Sequence, residues 1–199
     1  MSSFRDYQFN RSQVTAIAID TSNGQFLWIA YALKSGTCLL QKVSAHDLTQ
    51  VYFSIPLSVT SINSIVILGP LLYVAVTHAT EAVYLFDIGA PLSEEIRFFK
   101  SDLSLTESPI EVVSSITNVY FLTPGNESGN VAQIAVIDDA GEYVETINLI
   151  QSPIEITNAI SLAVDSNEYL WVVTDGDPTI LYRVFFQSAE WQIQETIFE

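Results

Sequence analysis

Residues 160–186 read Ile-Ser-Leu-Ala-Val-Asp, a polar turn Ser-Asn-Glu, Tyr-Leu-Trp-Val-Val-Thr, a second turn Asp-Gly-Asp-Pro, and Thr-Ile-Leu-Tyr-Arg-Val-Phe-Phe. Each apolar run has the length of a strand, is rich in β-branched and aromatic residues, and ends at turn formers. The start of the chain follows the same plan, with Ala-Ile-Ala-Ile-Asp at 16–20, a turn at 21–24, and Phe-Leu-Trp-Ile-Ala-Tyr-Ala at 26–32. Two such echoes at opposite ends of one chain make internal periodicity the first thing to test.

An apolar–aromatic pair recurs as Leu27-Trp28, Leu72-Tyr73, Val119-Tyr120 and Leu170-Trp171, with successive aromatics 45, 47 and 51 residues apart. A strand-like run precedes each pair, at 15–20, 63–68, 112–115 and 160–165, and another follows, at 38–43, 82–88, 131–137 and 180–186. A fourth closes each unit, at 51–55, 96–99, 143–150 and 191–198. The joints repeat as well: Ser108-Pro-Ile-Glu111 returns 44 residues later as Ser152-Pro-Ile-Glu155. Proline suits such a handover because it cannot donate to an interior ladder. Four strands in about 45 residues is the blade pattern of a β-propeller. A Greek-key sandwich also needs many short strands, but has no reason to restart at that interval.

The expected fold is therefore all-β and β-propeller-like, with four blades of four antiparallel strands at about 13–56, 57–107, 108–151 and 152–199. These form one domain, preceded by an N-terminal extension at 1–12. The second unit carries an insertion at 89–95 and a polar exit at 101–107. Four blades close as a small ring or stand as an open arc completed by a partner. An arc exposes strand edges and apolar faces, which makes self-association the natural expectation.

Composition narrows the partners. Nearly half the residues are apolar and 15% are charged, which excludes a disordered chain. Seven basic residues, scattered, face 23 acidic ones for a net charge of −16. No basic cluster could neutralise a row of phosphates, so nucleic acid is not an expected partner, and the acidity disfavours anionic membranes. The first residues hold no continuous apolar core of a secretory signal, and the run at 62–76 is broken by Gly69-Pro70 and too short to cross a bilayer. A cytoplasmic location, or one inside an assembled particle, is the corresponding expectation. Cys38, the single cysteine, sits in an apolar run and reads as a small buried hydrophobe.

Leu162-Ala-Val-Asp165, a polar turn, Tyr169-Leu-Trp-Val-Val-Thr-Asp175 and Ile180-Leu-Tyr-Arg-Val-Phe resemble the NHL-type propeller repeat, a style shared by lactonase-like propellers. Ile17-Ala-Ile-Asp20 onward resembles it nearly as well, while units two and three lack the aspartate that ends the first strand. The resemblance covers the chain from about Val14 onward and implies architecture. Lactonase-like propellers hold a divalent cation near the central channel with acidic and amide side chains. The resemblance thus implies a place for Ca²⁺ at Glu111, Glu155 and Asn158, with Asp175 close by.

The residues themselves supply little chemistry. His46 and His78 lie in different units, no Gly-x-Ser-x-Gly elbow is present, and Gly125-Asn-Glu-Ser-Gly129 lacks the lysine of a phosphate loop. Glu81, Glu111, Glu127, Glu155, Asp175 and Asp177 fall in loops expected to open on one face, where they form either a cation site or a solvated acidic rim. The aromatics Trp28, Tyr73, Tyr120 and Trp171 read as packing between neighbouring blades rather than as a ligand cage.

Three functions stay open. The leading expectation is a non-catalytic interaction or structural module, a building block of a larger assembly of which a virion is one version, with no catalytic residue and no cofactor. The second is a metal-dependent, lactonase-like hydrolase working on the acidic face. The third is a monomeric propeller that binds sugar or peptide. For the module, substitution of Glu111 or Glu155 is expected to be nearly silent.

Overall fold

The structure, a computed structural model, describes residues 13–20, 25–89, 95–126, 129–176 and 178–196. The expected N-terminal extension at 1–12, Glu127 and Asp177 lie outside the described residues.

Sheet 1 contains β1 (Gln13–Asp20), β2 (Phe26–Ala32), β3 (Cys38–Ser44) and β4 (Val51–Leu57). Sheet 2 contains β5 (Ser61–Leu68), β6 (Leu71–Thr77), β7 (Glu81–Asp87) and β8 (Glu95–Phe99). Sheet 3 is built from β9 (Glu111–Ser114), β10 (Asn118–Thr123), β11 (Gln133–Asp138) and β12 (Tyr143–Asn148). A two-stranded ribbon, β13 (Ile150–Gln151) with β14 (Ile154–Glu155), follows it. Sheet 4 holds β15 (Ala159–Val164), β16 (Leu170–Thr174), β17 (Leu181–Gln187) and β18 (Glu190–Thr196). Every four-stranded sheet is an antiparallel meander in sequence order, and no helix occurs among the described residues. The fold is all-β and propeller-like.

The four first strands lie side by side as β1–β5–β9–β15, which stacks the sheets as successive blades. Among the described residues, no comparable packing brings β15 back to β1.

Strand periodicity then assigns each side chain to one of two faces. The row Ala18–Trp28–Lys42–Phe53 looks forward to the next sheet, and Val66–Tyr73–Leu85–Ile96 and Val113–Tyr120–Val136–Glu145 do the same in sheets 2 and 3. The neighbouring rows look backward: Ile65–Val74–Tyr84 in sheet 2, Val112–Phe121–Ala135 in sheet 3 and Leu162–Val172–Tyr182 in sheet 4. Forward and backward faces meet in three cores: one between sheets 1 and 2 around Trp28, one between 2 and 3 around Tyr73, one between 3 and 4 around Tyr120. Sheets 2 and 3 are thus covered on both faces. This explains why β6 and β10 read as almost unbroken apolar runs while β1 alternates in exposure.

Two connections depart from expectation. The polar exit at 101–107 folds inward: Leu103 and Leu105 are buried in the core between sheets 2 and 3. The buried amide of Gln133 holds it there, accepting from Thr106 N–H and Oγ1–H and donating to the Ser104 carbonyl and to Asn148 Oδ1. The expected strand at 143–150 ends instead at Asn148. Leu149 is fully buried, donating its N–H to the Ala132 carbonyl and accepting that of Ile156, and this turns the chain into the β13–β14 ribbon.

Sheet contacts are close enough to dictate one glycine. Gly141 has φ +86°, and a Cβ there would lie 2.7 Å from Leu85 Cδ2 of sheet 2. Only glycine serves both the turn and the approach.

Candidate functional site

The acidic residues expected to converge are placed one by one. Glu111 heads β9, and its Oε2 accepts the backbone N–H of Leu162 at 2.6 Å. That carboxylate ties the first strand of sheet 3 to the first strand of sheet 4. Glu155 lies on β14 and is exposed. Asn158 and Asp175 do come together: the Asp175 N–H donates to the Asn158 carbonyl at 2.9 Å, and both line an open cavity of about 440 Å³ with Pro124 and Ile160. Neither Glu111 nor Glu155 lines it. Among the described residues, no group of three His, Cys, Asp or Glu side chains stands close enough together to hold a metal ion.

Glu81 belongs to a different arrangement. It is buried at the start of β7, accepts a hydrogen bond from the Tyr84 hydroxyl, and pairs with Arg97 at 3.1 Å, while His78 Nδ1 nearby accepts the N–H groups of Thr80 and Glu81. Burial alone would raise its pKa, but the hydrogen bonds from Tyr84 and Arg97 and the nearby positive charges outweigh burial and hold the carboxyl below its ordinary value. Tyr84, buried and bonded to that carboxylate, is pushed well above the usual phenol range. Tyr84 and Arg97 both donate to the one carboxylate, which is a structural clamp across β7 and β8. Sequence reasoning missed it because Arg97 is set opposite Tyr84 only by the sheet register, and a shift between Glu81 and Val83 lets Glu81 reach both. Cys38 is buried, as its apolar context implied, and His46 is exposed.

A second set of side chains carries more functional meaning. In sheet 1, Asp20 is buried and pairs with Lys42 at 3.0 Å, and Lys42 lies over the rings of Phe26 and Trp28. Sheet 4 repeats the trio at the same register. Asp165 accepts the Trp171 indole N–H at 3.1 Å, and Arg183, opposite Trp171, lies over Tyr169 and Phe185. The trio of sheet 1 is packed inside the core against sheet 2. That of sheet 4 is only half-buried, and no described sheet follows it. The aromatic positions expected to be interior therefore divide: Trp28, Tyr73 and Tyr120 are core, whereas Trp171 stands on an end face.

The opposite end is similar. Val14, Ile17 and Ile19 of β1 are large, apolar and exposed. Behind them, Ile29, Tyr31 and Val43 form a buried cluster with Leu27, Leu33 and Leu39, to which no other described sheet contributes. The two end faces, rather than the acidic loops, are the unusual surfaces of this molecule.

Solved structures share this architecture. The β-propeller domain of Myceliophteria thermophila Cps50 (Swd1) is 14% identical, with a TM-score of 0.57 over 88% of this chain and 52% of that one. The extracellular domain of a putative hybrid two component system from B. thetaiotaomicron is 15% identical, with a TM-score of 0.61 over 97% of this chain and 23% of that one. A putative 6-phosphogluconolactonase from Bacteroides uniformis is 10% identical over 91% of this chain and 70% of that one, with a TM-score of 0.49. No family model and no curated sequence matches. The chain spans about half the length of the first of these structures and about a quarter of the second. At these identities the likeness speaks for the fold: a set of β-propeller blades. Among the described residues, no helix is long and apolar enough to cross a membrane.

Proposed function

We propose that this chain is a non-catalytic interaction module, a rigid building block held in a larger protein assembly through its two end sheets. One observation carries the reading. The first strand of sheet 1 presents Val14, Ile17 and Ile19, large, apolar and exposed where a solvated strand would place polar residues. Contiguous exposed apolar surface of this kind marks a protein contact. The propeller architecture suits the role, since such folds present stacked sheets and loops on a stiff frame. Fold alone does not assign a function, so the reading rests on the faces.

A photo-crosslinking residue placed at position 17 or at position 163, in the protein's native setting, tests it. Both positions should capture protein, while a probe at Ser188, in the exposed β17–β18 turn, should not. Equal capture at all three, or none at either face, would refute the reading.

A further inference from the structure

We infer that the cleft between sheets 3 and 4, at the end that carries the β15–β16 connection, binds an alkylammonium group between aromatic rings and carboxylates. The site goes beyond the end-face reading and does not depend on it.

The cleft is a cavity of about 350 Å³ whose walls come from two packed sheets. Small-ligand sites have volumes of roughly 300–1,000 Å³. Sheet 3 supplies Tyr120 of β10 and Glu145 of β12. Sheet 4 supplies Phe186 of β17, Trp191 of β18, and Glu168 and Tyr169 of the β15–β16 connection. Strand alternation explains why they meet. Tyr120 and Glu145 flank Val136 in the forward row of sheet 3. Phe186 and Trp191 are paired across β17 and β18, on the same backward face as Val184 and Ile193. The floor is the core between the two sheets, against which Trp191 packs.

Several of these groups are held in place. Trp191 Nε1–H donates to Glu145 Oε1 at 3.0 Å across the two sheets, which fixes both the indole and the carboxylate. Phe186 meets Trp191 edge to face, with ring centroids 5.4 Å apart. An ionised carboxylate has about four lone-pair sites, so one indole bond leaves Glu145 able to accept from a further donor. Glu168 has φ +62°, in the region that favours glycine, so the turn geometry does not itself call for a carboxylate there. Burial raises the pKa of Tyr120, and Glu168 and Glu145 raise it further, which puts both negative charges within reach of one phenol.

Charge then selects the ligand. Aromatic rings attract a cation through their quadrupole, and carboxylates accept its N–H groups in charge-assisted bonds. The chain already uses this combination on its own cations. Lys42 lies 4.5 Å from the centre of the Phe26 ring and 3.0 Å from Asp20. Arg97 lies 5.0 Å from that of Tyr84 and 3.1 Å from Glu81. In the cleft the rings and carboxylates are present, and none of the lining residues is basic. Arg183 stands on the forward side of sheet 4, where it donates to Gln194. A net charge of −16 adds a long-range pull on any cation.

The chain has three tryptophans, so nitrogen-15 labelling of the indoles gives three resonances, and Trp191→Phe identifies the one that reports on the cleft. n-Butylammonium chloride, titrated at constant ionic strength, should shift the Trp191 resonance saturably and leave those of Trp28 and Trp171 in place. n-Butanol, similar in size and uncharged, should not. Phe186→Ala and Glu168→Gln, both at exposed positions, should each weaken binding about two- to fivefold with strand content by circular dichroism unchanged. A peptide with one lysine among glycines distinguishes the sources: tighter binding than n-butylammonium would put the group on a protein, equal or weaker binding on a free amine, and either upholds the site. No shift at Trp191, an equal shift with n-butanol, or an affinity unchanged in both variants would overturn the inference. A shift with methyl glucoside but not with the ammonium ion would also overturn it and make the cleft a sugar site. The crosslinking result judges the end-face reading separately from all of these outcomes.

Discussion

A single carboxylate separates the readings of this molecule more cleanly than any motif. Glu111, which the lactonase-like resemblance offers as a cation ligand, spends an oxygen on the backbone N–H of Leu162 in the next blade. Glu111→Ala leaves that N–H without its partner and should cost about 1–3 kcal/mol in urea unfolding, with or without Ca²⁺. The expectation that its loss is nearly silent is thereby revised. Glu155→Gln and Asp175→Asn are surface changes and should stay within about 0.5 kcal/mol of wild type. A Ca²⁺-dependent melting temperature lost in all three would favour the metal-site reading instead. Glu81 offers a pH test. Its folded pKa is depressed, so it stabilises the native state above the ordinary carboxylate range, and that contribution drains away as pH falls through its folded value. Glu81→Gln should lower stability by about 1–3 kcal/mol at neutral pH and flatten the acid limb of the stability curve, read from melting temperatures between neutral and acidic buffers. At this scale the sequence was least legible. The clamp of Glu81, Tyr84 and Arg97 depends on which residues the ladder sets opposite each other, and spacing along the chain does not reveal that.

Elements were far easier to read. Sixteen strands in four meanders follow from turn formers and from the repeated apolar–aromatic pair, because a blade is a local structure whose strands pair with their sequence neighbours. The failures fell in the joints. The segment at 101–105 is polar enough to pass for a solvated exit, yet its two leucines plug the core between sheets 2 and 3. Its burial depends on Gln133 in the next sheet, a partner nearly thirty residues away. Leu103→Ala should therefore behave as a core truncation and cost about 2–5 kcal/mol in denaturant unfolding, as no surface turn would. The β13–β14 ribbon was missed for a similar reason: Leu149 satisfies its backbone groups with Ala132 and Ile156, not with the strand it seemed to prolong.

For the molecule as a whole, the balance of charge and apolar surface sets how association responds to conditions. Each chain carries a net charge of −16, so two copies repel at long range. The exposed side chains of β1 are apolar at Val14, Ile17 and Ile19 and carry no charge to set against a partner. Raising ionic strength from low to physiological should therefore tighten association, the reverse of a contact held by opposite charges. Sedimentation at two salt concentrations reads this directly, and association that weakens in salt would point to a charged interface. The repeat made the blades legible, but whether the series closes could not be read from it, since a blade's curvature depends on how its two faces pack.

Because forward and backward faces recur at one register in all four sheets, the chain is a stack of interchangeable tiles whose outermost surfaces do not depend on how many tiles lie between them. Gain or loss of one whole tile would leave both end sheets intact and alter only the angle they subtend. Size in such a design is written in whole blades, and a tandem duplication would lengthen the series without inventing a new packing surface.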